Sequence, residues 1–323
     1  MKKKRVFLTR RLHDFALKEL KKKYQIEIHS GKIPIPKTKL RSKIKQIEGL
    51  ICFPYDIIDK ELINSAENLK VISTYSVGFD HIDIEYAKKK KIRVGYTPEV
   101  LTDATADLAF SLMIDVMRRV SEGDRIIRAG KWTEIYGAYD YVGIDLQGKT
   151  LGILGLGRIG STLAKRAKAF GMKINYHNRK KVSKSREKTL GVKYVSFEKL
   201  ISQSDIISLH VPHTKETDNL FGKKLFGRMK KSAFLINTSR GKVINEKDLV
   251  TALKKKTIAG AALDVFSQEP ISKNHPLTKI QNVVLVPHIG SSTNETRAKM
   301  AQITVRNLDL GIKGKKPTYS VGF

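Results

Sequence analysis

Short apolar runs alternate with amphipathic stretches almost from one end of the chain to the other. In the N-terminal third, "RVFLT", "YQIEIH", "GLICF", "KVIST" and "IRVGY" read as strands, and segments such as 12–20 and 40–47 between them carry apolar residues at helical spacing. Such alternation predicts a parallel sheet with crossover helices. A long helical pattern over 102–129 follows the turn at Pro98, and "GIDLQGKT" punctuates the chain before a second series begins. There the strands are "TLGIL", "KINYH", "VKYV", "DIISLH", "AFLINT", "IAGAALD" and "NVVLVP". They are short and apolar at consecutive positions, as strands covered on both faces should be. A helical stretch over 294–310 and a polar tail complete the pattern. No repeat, low-complexity segment or Pro/Ser-rich linker interrupts it, so the expected fold is α/β, with two doubly wound parallel-sheet domains.

No apolar run approaches the length needed to span a bilayer. The opening "MKKKRVFLTRR" has the charge of a signal peptide, but its apolar stretch, Val6-Phe7-Leu8, is too short for one and reads as the first strand. Cys52 is the only cysteine, which excludes an intrachain disulfide. Its setting in "GLICF" predicts a buried thiol on a strand, and a reducing cytoplasm is the expected compartment.

The formal net charge of +31 has two readings. One is attraction to nucleic acid or an acidic membrane; the other is a solvated, lysine-rich surface. The lysines fall in short dispersed runs at 2–4, 21–23, 88–91 and 254–256. Several of these sit at predicted helix C-termini, where cations suit the helix dipole. Aromatic residues are not interleaved with them as a stacking platform would require. The surface reading is preferred, and neither a nucleic-acid nor a membrane partner is expected.

"LGILGLGRIGSTLAKRAKAFG" contains Gly155-x-Gly157-x-x-Gly160 directly after an apolar strand, and it opens a helix with Ile159, Leu163 and Ala167 on one face. That context turns a weak pattern into a dinucleotide fingerprint. Gly155 permits the tight turn, Gly157 lets backbone approach a pyrophosphate, and Gly160 lets helix and strand pack closely. The second strand of such a fold usually ends in an acid that accepts the adenosine ribose hydroxyls. Asn178, eighteen residues after Gly160, stands there instead, followed by Arg179 and Lys180. An amide does not repel a 2′-phosphate, and the two cations can hold one. The cluster favours NADP(H), with NAD(H) also possible; the plainer alternative is one more solvated basic run.

Three later strand ends carry chemistry. "LINTSRGKVINEKDL" places Arg240 in a Ser-Arg-Gly turn, "AALDVFSQEP" places Asp264 at a strand end and Glu269 in the loop after it, and "NVVLVPHIGSS" places His288 after the last strand. Ligands of open α/β sheets bind outside the carboxyl ends of strands. For reduction of a 2-oxo acid, Arg240 can pair with the carboxylate and polarise the carbonyl, and His288 can supply the proton. Glu269, bonded to the other ring nitrogen, would hold the imidazole and favour its protonated form. Other candidates are weaker. His210-x-x-His213 has metal-like spacing but brackets Pro212 and lacks nearby cysteines or acids, so no metal is expected. "DHID", at 80–83, reads as a cap for a helix starting at Ile84.

Taken together, "GFDHIDIEYAKKKKIRVGYTPEVLTDATADLAFSLM", "GKTLGILGLGRIG", "LHVPHTKETDNLF", "INTSRGKVINEKDLV", "AGAALDVFSQEP" and "VVLVPHIGSST" resemble the D-2-hydroxyacid dehydrogenase family, and most of all its glyoxylate/hydroxypyruvate reductase branch. The resemblance covers nearly the whole chain. It implies a flavodoxin-like substrate domain of residues 1–100 and 290–323, a Rossmann cofactor domain of residues 101–289 inserted in it, and a homodimer built with help from the long first helix of the cofactor domain. It implies that Arg240 binds substrate, Glu269 supports the histidine and His288 donates the proton, with the Val77-Gly78 backbone binding the substrate carboxylate. It also implies that Asp264 meets the nicotinamide carboxamide, Thr238 lies under the cofactor, Arg158 and Ile159 contact the pyrophosphate, and Val211, Pro212 and Thr217 line the adenosine and phosphate side. Thr105 and Gly290 complete the implied cofactor set. Tyr75-Ser76 and the stretch "YGAYDYVGIDLQ" depart from the usual family pattern and bear on substrate preference. The resemblance is to the short members, without a regulatory C-terminal domain or an extended N-terminus. An alternative function on the same fold is a dinucleotide-sensing, corepressor-like regulator; the absence of a DNA-binding motif or disordered tail favours the enzyme.

Overall fold

The computed structural model describes residues 3–322; Met1, Lys2 at the head of the first lysine run, and Phe323 lie outside the described residues. The chain divides into two compact units, Met1–Leu101 with Ser291–Phe323, and Thr102–Gly290.

The first unit opens with β1 (Arg5–Leu8), α1 (Asp14–Lys23), β2 (Gln25–Ile28), α2 (Lys37–Ile44), β3 (Gly49–Cys52), α3 (Lys60–Asn64), β4 (Val71–Thr74), α4 (Ile84–Lys89) and β5 (Arg93–Gly95). Every residue of β3 and β4 is buried, which accounts for the apolar Leu50, Ile51, Val71 and Ile72 at consecutive positions. Helix α1 buries Ala16, Leu17 and Leu20 and ends on Lys21, Lys22 and Lys23, so that lysine run complements the helix C-terminus. Asp83 caps α4 as expected, its side chain accepting the Tyr86 N–H at 2.9 Å.

The second unit starts with α5 (Thr102–Arg118) and α6 (Val120–Arg128). The helical pattern over 102–129 is therefore two helices and not one. Arg119 adopts φ 58°, its guanidinium pairs with Glu122, and its carbonyl accepts the Tyr141 hydroxyl at 2.7 Å. A left-handed residue cannot continue a right-handed helix, and contacts from elsewhere in the unit hold it there. Then follow β6 (Thr150–Leu154), α7 (Arg158–Ala169), β7 (Lys173–His177), α8 (Lys184–Leu190), β8 (Lys193–Tyr194), α9 (Phe197–Gln203), β9 (Ile206–Leu209), α10 (Lys223–Phe226), β10 (Phe234–Asn237), α11 (Glu246–Lys254), β11 (Gly260–Leu263) and β12 (Val283–Leu285). Sheet order β12-β11-β10-β9-β6-β7-β8, parallel throughout, is the doubly wound Rossmann order with one added strand. Apolar clusters cover both faces, one built around α5 and α7 and the other around α9 and α11. Chain order reverses between β6 and β9, and the crevice at that switch point opens at the carboxyl ends of the strands.

The chain returns to the first unit with α12 (Asn294–Ile312) and β13 (Ser320–Val321). Helix α12 packs on β3, β4 and β5. The sheet order is β13-β5-β4-β3-β1-β2, flavodoxin-like in its five parallel strands. The tail read as polar ends in a strand, because β13 pairs antiparallel with β5. Both units thus have the expected α/β class. Among the described residues no helix is long and apolar enough to cross a membrane.

Candidate active site

In the second unit the glycine loop leaves β6 with Gly155 at φ 100°, where a Cβ would lie 2.7 Å from the His210 carbonyl oxygen. A Cβ on Gly160 would lie 2.4 Å from the Gly155 oxygen, so protein packing requires both glycines. Gly157 differs: nothing lies within 4 Å of where its Cβ would be. It is the N-cap of α7 without a side-chain cap, so the helix start presents N–H groups to open space. That is a cradle for phosphate. Arg158, exposed, and Ile159, half-buried, begin the helix beside it.

Asn178 follows β7, and its Oδ1 accepts the Leu156 N–H at 2.7 Å. With that oxygen engaged by the glycine loop, the amide's remaining polar group is the Nδ2 donor. Arg179 and Lys180 are exposed beyond it. Arg186, from α8, donates to Ser161 Oγ in the first turn of α7 at 2.8 Å, so the basic loop is tied to the phosphate loop on both sides. Sequence reading missed this second tie, because no local pattern marks an arginine that reaches back 25 residues. On the other flank of β6, the chain after β9 carries Val211, Pro212 and Thr217, whose Oγ1 donates to the Pro212 carbonyl at 2.7 Å. His210 and His213 do not pair. His210 meets Ser208 Oγ at 2.8 Å and burial pushes its ring down to about 4, whereas His213 meets Asp218 at 2.8 Å.

The carboxyl ends of β10, β11 and β12, adjacent in the sheet, carry the remaining candidates. Buried Asn237 shapes the Ser-Arg-Gly turn: its Nδ2 donates to the Arg240 carbonyl at 2.9 Å and its Oδ1 accepts the Ser239 N–H at 3.0 Å. Arg240 Nη1 donates to the Ser239 carbonyl at 2.8 Å. Thr238 is buried, and its Oγ1 has no partner among the described residues. A buried hydroxyl without a partner is costly, and its position at a strand end suits one that a ligand satisfies.

His288 has φ 55°, uncommon for a residue with a side chain. Asp264, 1% exposed, holds the turn: Oδ1 accepts the Ile289 N–H at 2.6 Å and Oδ2 the Gly290 N–H at 2.9 Å. Burial raises the Asp264 carboxyl to about 6, against the opposing effect of these N–H groups and of His288. The Gly290 carbonyl in turn accepts Thr105 Oγ1–H at 3.1 Å, linking the turn to α5. His288 Nδ1 lies 2.7 Å from Glu269 Oε2, and Glu269 Oε1 accepts the Phe266 N–H at 2.9 Å. Strain at a site residue, over-determined by its surroundings, is typical of functional groups. With Nδ1 of the half-buried ring engaged by Glu269, Nε2 lies on the side of the imidazole away from that pair.

In the first unit, Val77 and Gly78 lie in the loop after β4, both half-buried. Ser76 Oγ donates to the Gly78 carbonyl at 2.5 Å and meets Thr74 Oγ1 at 2.8 Å, a tie made by one of the residues that departs from the family pattern.

The open helix N-terminus at Gly157 and the orphaned Thr238 hydroxyl, both past the carboxyl ends of strands of one sheet, fit a dinucleotide. Residues 110–290 match the family model "D-isomer specific 2-hydroxyacid dehydrogenase, NAD binding domain". The chain is 48% identical over 318 residues to a glyoxylate reductase of Thermococcus litoralis, covering 98% of this chain and 96% of that one. Among solved structures, the TT0316 protein of Thermus thermophilus superposes with TM-score 0.91 at 42% identity, covering 98% and 99% of the two chains. An NADPH-dependent glyoxylate/hydroxypyruvate reductase of Sinorhizobium meliloti, solved with NADP and malonate, superposes with TM-score 0.86 at 28% identity, covering 99% and 97%. With a glycine loop, strand-end residues and a full-length likeness that agree, the chain belongs to the D-isomer-specific 2-hydroxyacid dehydrogenases, nicotinamide-dinucleotide-dependent oxidoreductases that interconvert 2-oxo and 2-hydroxy acids.

Proposed function

We propose that this enzyme reduces small 2-oxo acids, glyoxylate and hydroxypyruvate foremost, with NADP(H) favoured over NAD(H). The observation that carries the reading is the His288–Glu269 pair, 2.7 Å apart, on a left-handed turn pinned by Asp264. When bound, the nicotinamide supplies a hydride for the carbonyl carbon. Arg240 pairs with the substrate carboxylate and draws electron density towards the carbonyl oxygen. In the first unit, the family resemblance assigns a substrate-binding role to the Val77 and Gly78 backbone. His288 gives its Nε2 proton to the oxygen as the hydroxyl forms, and Glu269 stabilises the imidazolium before transfer. The ring ends neutral and regains a proton from solvent, so one hydride and one proton are consumed per 2-hydroxy acid formed.

For the cofactor, Gly155, Gly157, Gly160, Arg158 and Ile159 take the pyrophosphate. Val211, Pro212 and Thr217 flank the adenosine half, while Thr105, Thr238, Asp264 and Gly290 serve the nicotinamide half. Asn178, its oxygen occupied by Leu156, offers Nδ2 as a donor to a 2′-phosphate, with Arg179 and Lys180 adding charge. The sequence of the Thermococcus litoralis glyoxylate reductase supports the substrate assignment, and the Sinorhizobium meliloti enzyme supports the cofactor assignment.

The active form is a homodimer. Val120, Ile127, Trp132, Ile135, Tyr139 and Val142 are all exposed within residues 120–142, with Ile135 and Tyr139 more than nine-tenths so. So many exposed large apolar side chains in one short segment support a protein interface there.

Initial rates with glyoxylate and hydroxypyruvate, each with NADPH and NADH, test the reading. Turnover of both acids with higher kcat/KM for NADPH is expected. Tight dinucleotide binding without turnover would replace the enzyme with a sensing protein.

A further inference from the structure

Glu269 is not the only glutamate that grips loop 266–269. The N–H of Phe266 goes to Glu269, but the next N–H, of Ser267, is accepted at 2.5 Å by Glu246 Oε1, from the first turn of α11. The other oxygen of Glu246 lies 3.2 Å from His275 Nε2. His275 Nδ1 accepts the Leu277 N–H at 3.4 Å, which assigns the ring hydrogen to Nε2 and makes it the donor to Glu246. Leu277, fully buried, anchors that end in the core. A second histidine–glutamate pair thus stands behind the first, with loop 266–269 between them.

The same loop also meets Arg240's turn. A Cβ on Gly241 would lie 1.8 Å from the Phe266 carbonyl carbon, so the two backbones are in direct contact. A displacement of Ser267 therefore passes through Phe266 to Glu269 and His288 on one side and to Arg240 on the other. Proton donors and carboxylate clamps tolerate misplacement of only about half an ångström. We propose that Glu246 and His275 are positioning residues: they set loop 266–269 and so register the proton-donating pair against the arginine. This rests on the catalytic reading of Arg240, Glu269 and His288 given above.

The test uses Glu246→Ala, Glu246→Gln and His275→Ala in the full chain, alongside His288→Ala. In Glu246→Ala, kcat for glyoxylate should fall roughly tenfold or more and KM for glyoxylate should rise, while NADPH affinity by fluorescence titration stays within twofold. Glu246→Gln keeps an acceptor for the Ser267 N–H and should recover much of the rate, and His275→Ala should lie between the two. If Glu246→Ala fails to fold, those two variants carry the test. Wild-type kcat and KM in folded Glu246 and His275 variants would overturn the proposal. So would an equal loss of rate when Glu246→Ala is made in a Glu269→Ala background, which would mark general damage. If His288→Ala itself keeps wild-type turnover, the catalytic reading falls first, whatever the outer pair does.

Discussion

Glu269 and His288 meet at 2.7 Å through Oε2 and Nδ1, although each comes from a different loop and His288 must adopt a left-handed backbone to make the contact. The carboxylate also takes the Phe266 N–H, so it is held by backbone while it holds the ring. Glu269→Gln keeps that backbone bond and removes the charge. We expect kcat for glyoxylate reduction to fall on the order of a hundredfold, as when a general acid loses its support. Steady-state rates check this, and a wild-type kcat would remove Glu269 from the proton relay.

Asn178 and Leu156 make the cofactor prediction specific. Asn178→Asp can keep the bond to the Leu156 N–H but replaces a donor with negative charge facing the ribose. The kcat/KM ratio of NADPH to NADH should drop about tenfold or more, as expected for lost anion contacts worth ~1.4 kcal/mol or above. Arg179→Ala should lower the same ratio through NADPH alone. A ratio that does not change in either variant would assign the basic cluster to the solvated surface.

Thr238 offers a test that needs no turnover. Its hydroxyl is buried without a partner among the described residues. Thr238→Val keeps the shape and removes the unpaired group, so thermal stability without cofactor should hold or rise by about 1 kcal/mol. NADPH binding measured by titration should weaken, because the ligand loses the hydroxyl it satisfies. Equal affinity in the two proteins would place Thr238 outside the cofactor contacts.

Asp264 predicts a pH dependence of stability. Burial raises its folded carboxyl to about 6, above the unfolded range near 4. A raised acid contributes stability that is present below the unfolded value and lost as pH rises through the folded one. Wild type should therefore gain stability relative to Asp264→Asn as pH falls from 7 to 4.5, by at most on the order of 2 kcal/mol. Denaturant unfolding of both proteins at the two pH values measures this difference. Asparagine also turns one acceptor of the Ile289 and Gly290 N–H groups into a donor, so the His288 turn should loosen and kcat should fall. A constant stability gap across that range would show that Asp264 stays ionised throughout.

Much of this was legible in the chain itself. The inner strands β3, β9, β10 and β11 are short, mostly apolar runs because every residue in them is buried, and α7 is announced by Gly155, Gly157 and Gly160, whose roles are local backbone geometry. Arg240, Asp264, Glu269 and His288 could be named because strand ends can be read one at a time. What escaped were relationships between distant positions. The break at Arg119 depends on Tyr141, β13 becomes a strand only by pairing with β5, and Asn178 reads differently once its oxygen is found on Leu156. Periodicity encodes which residues face a core. Which carboxylate meets which N–H is decided only when elements from separate parts of the chain pack, and that packing places Asp264 under the turn after His288 and Glu246 behind the loop of Glu269.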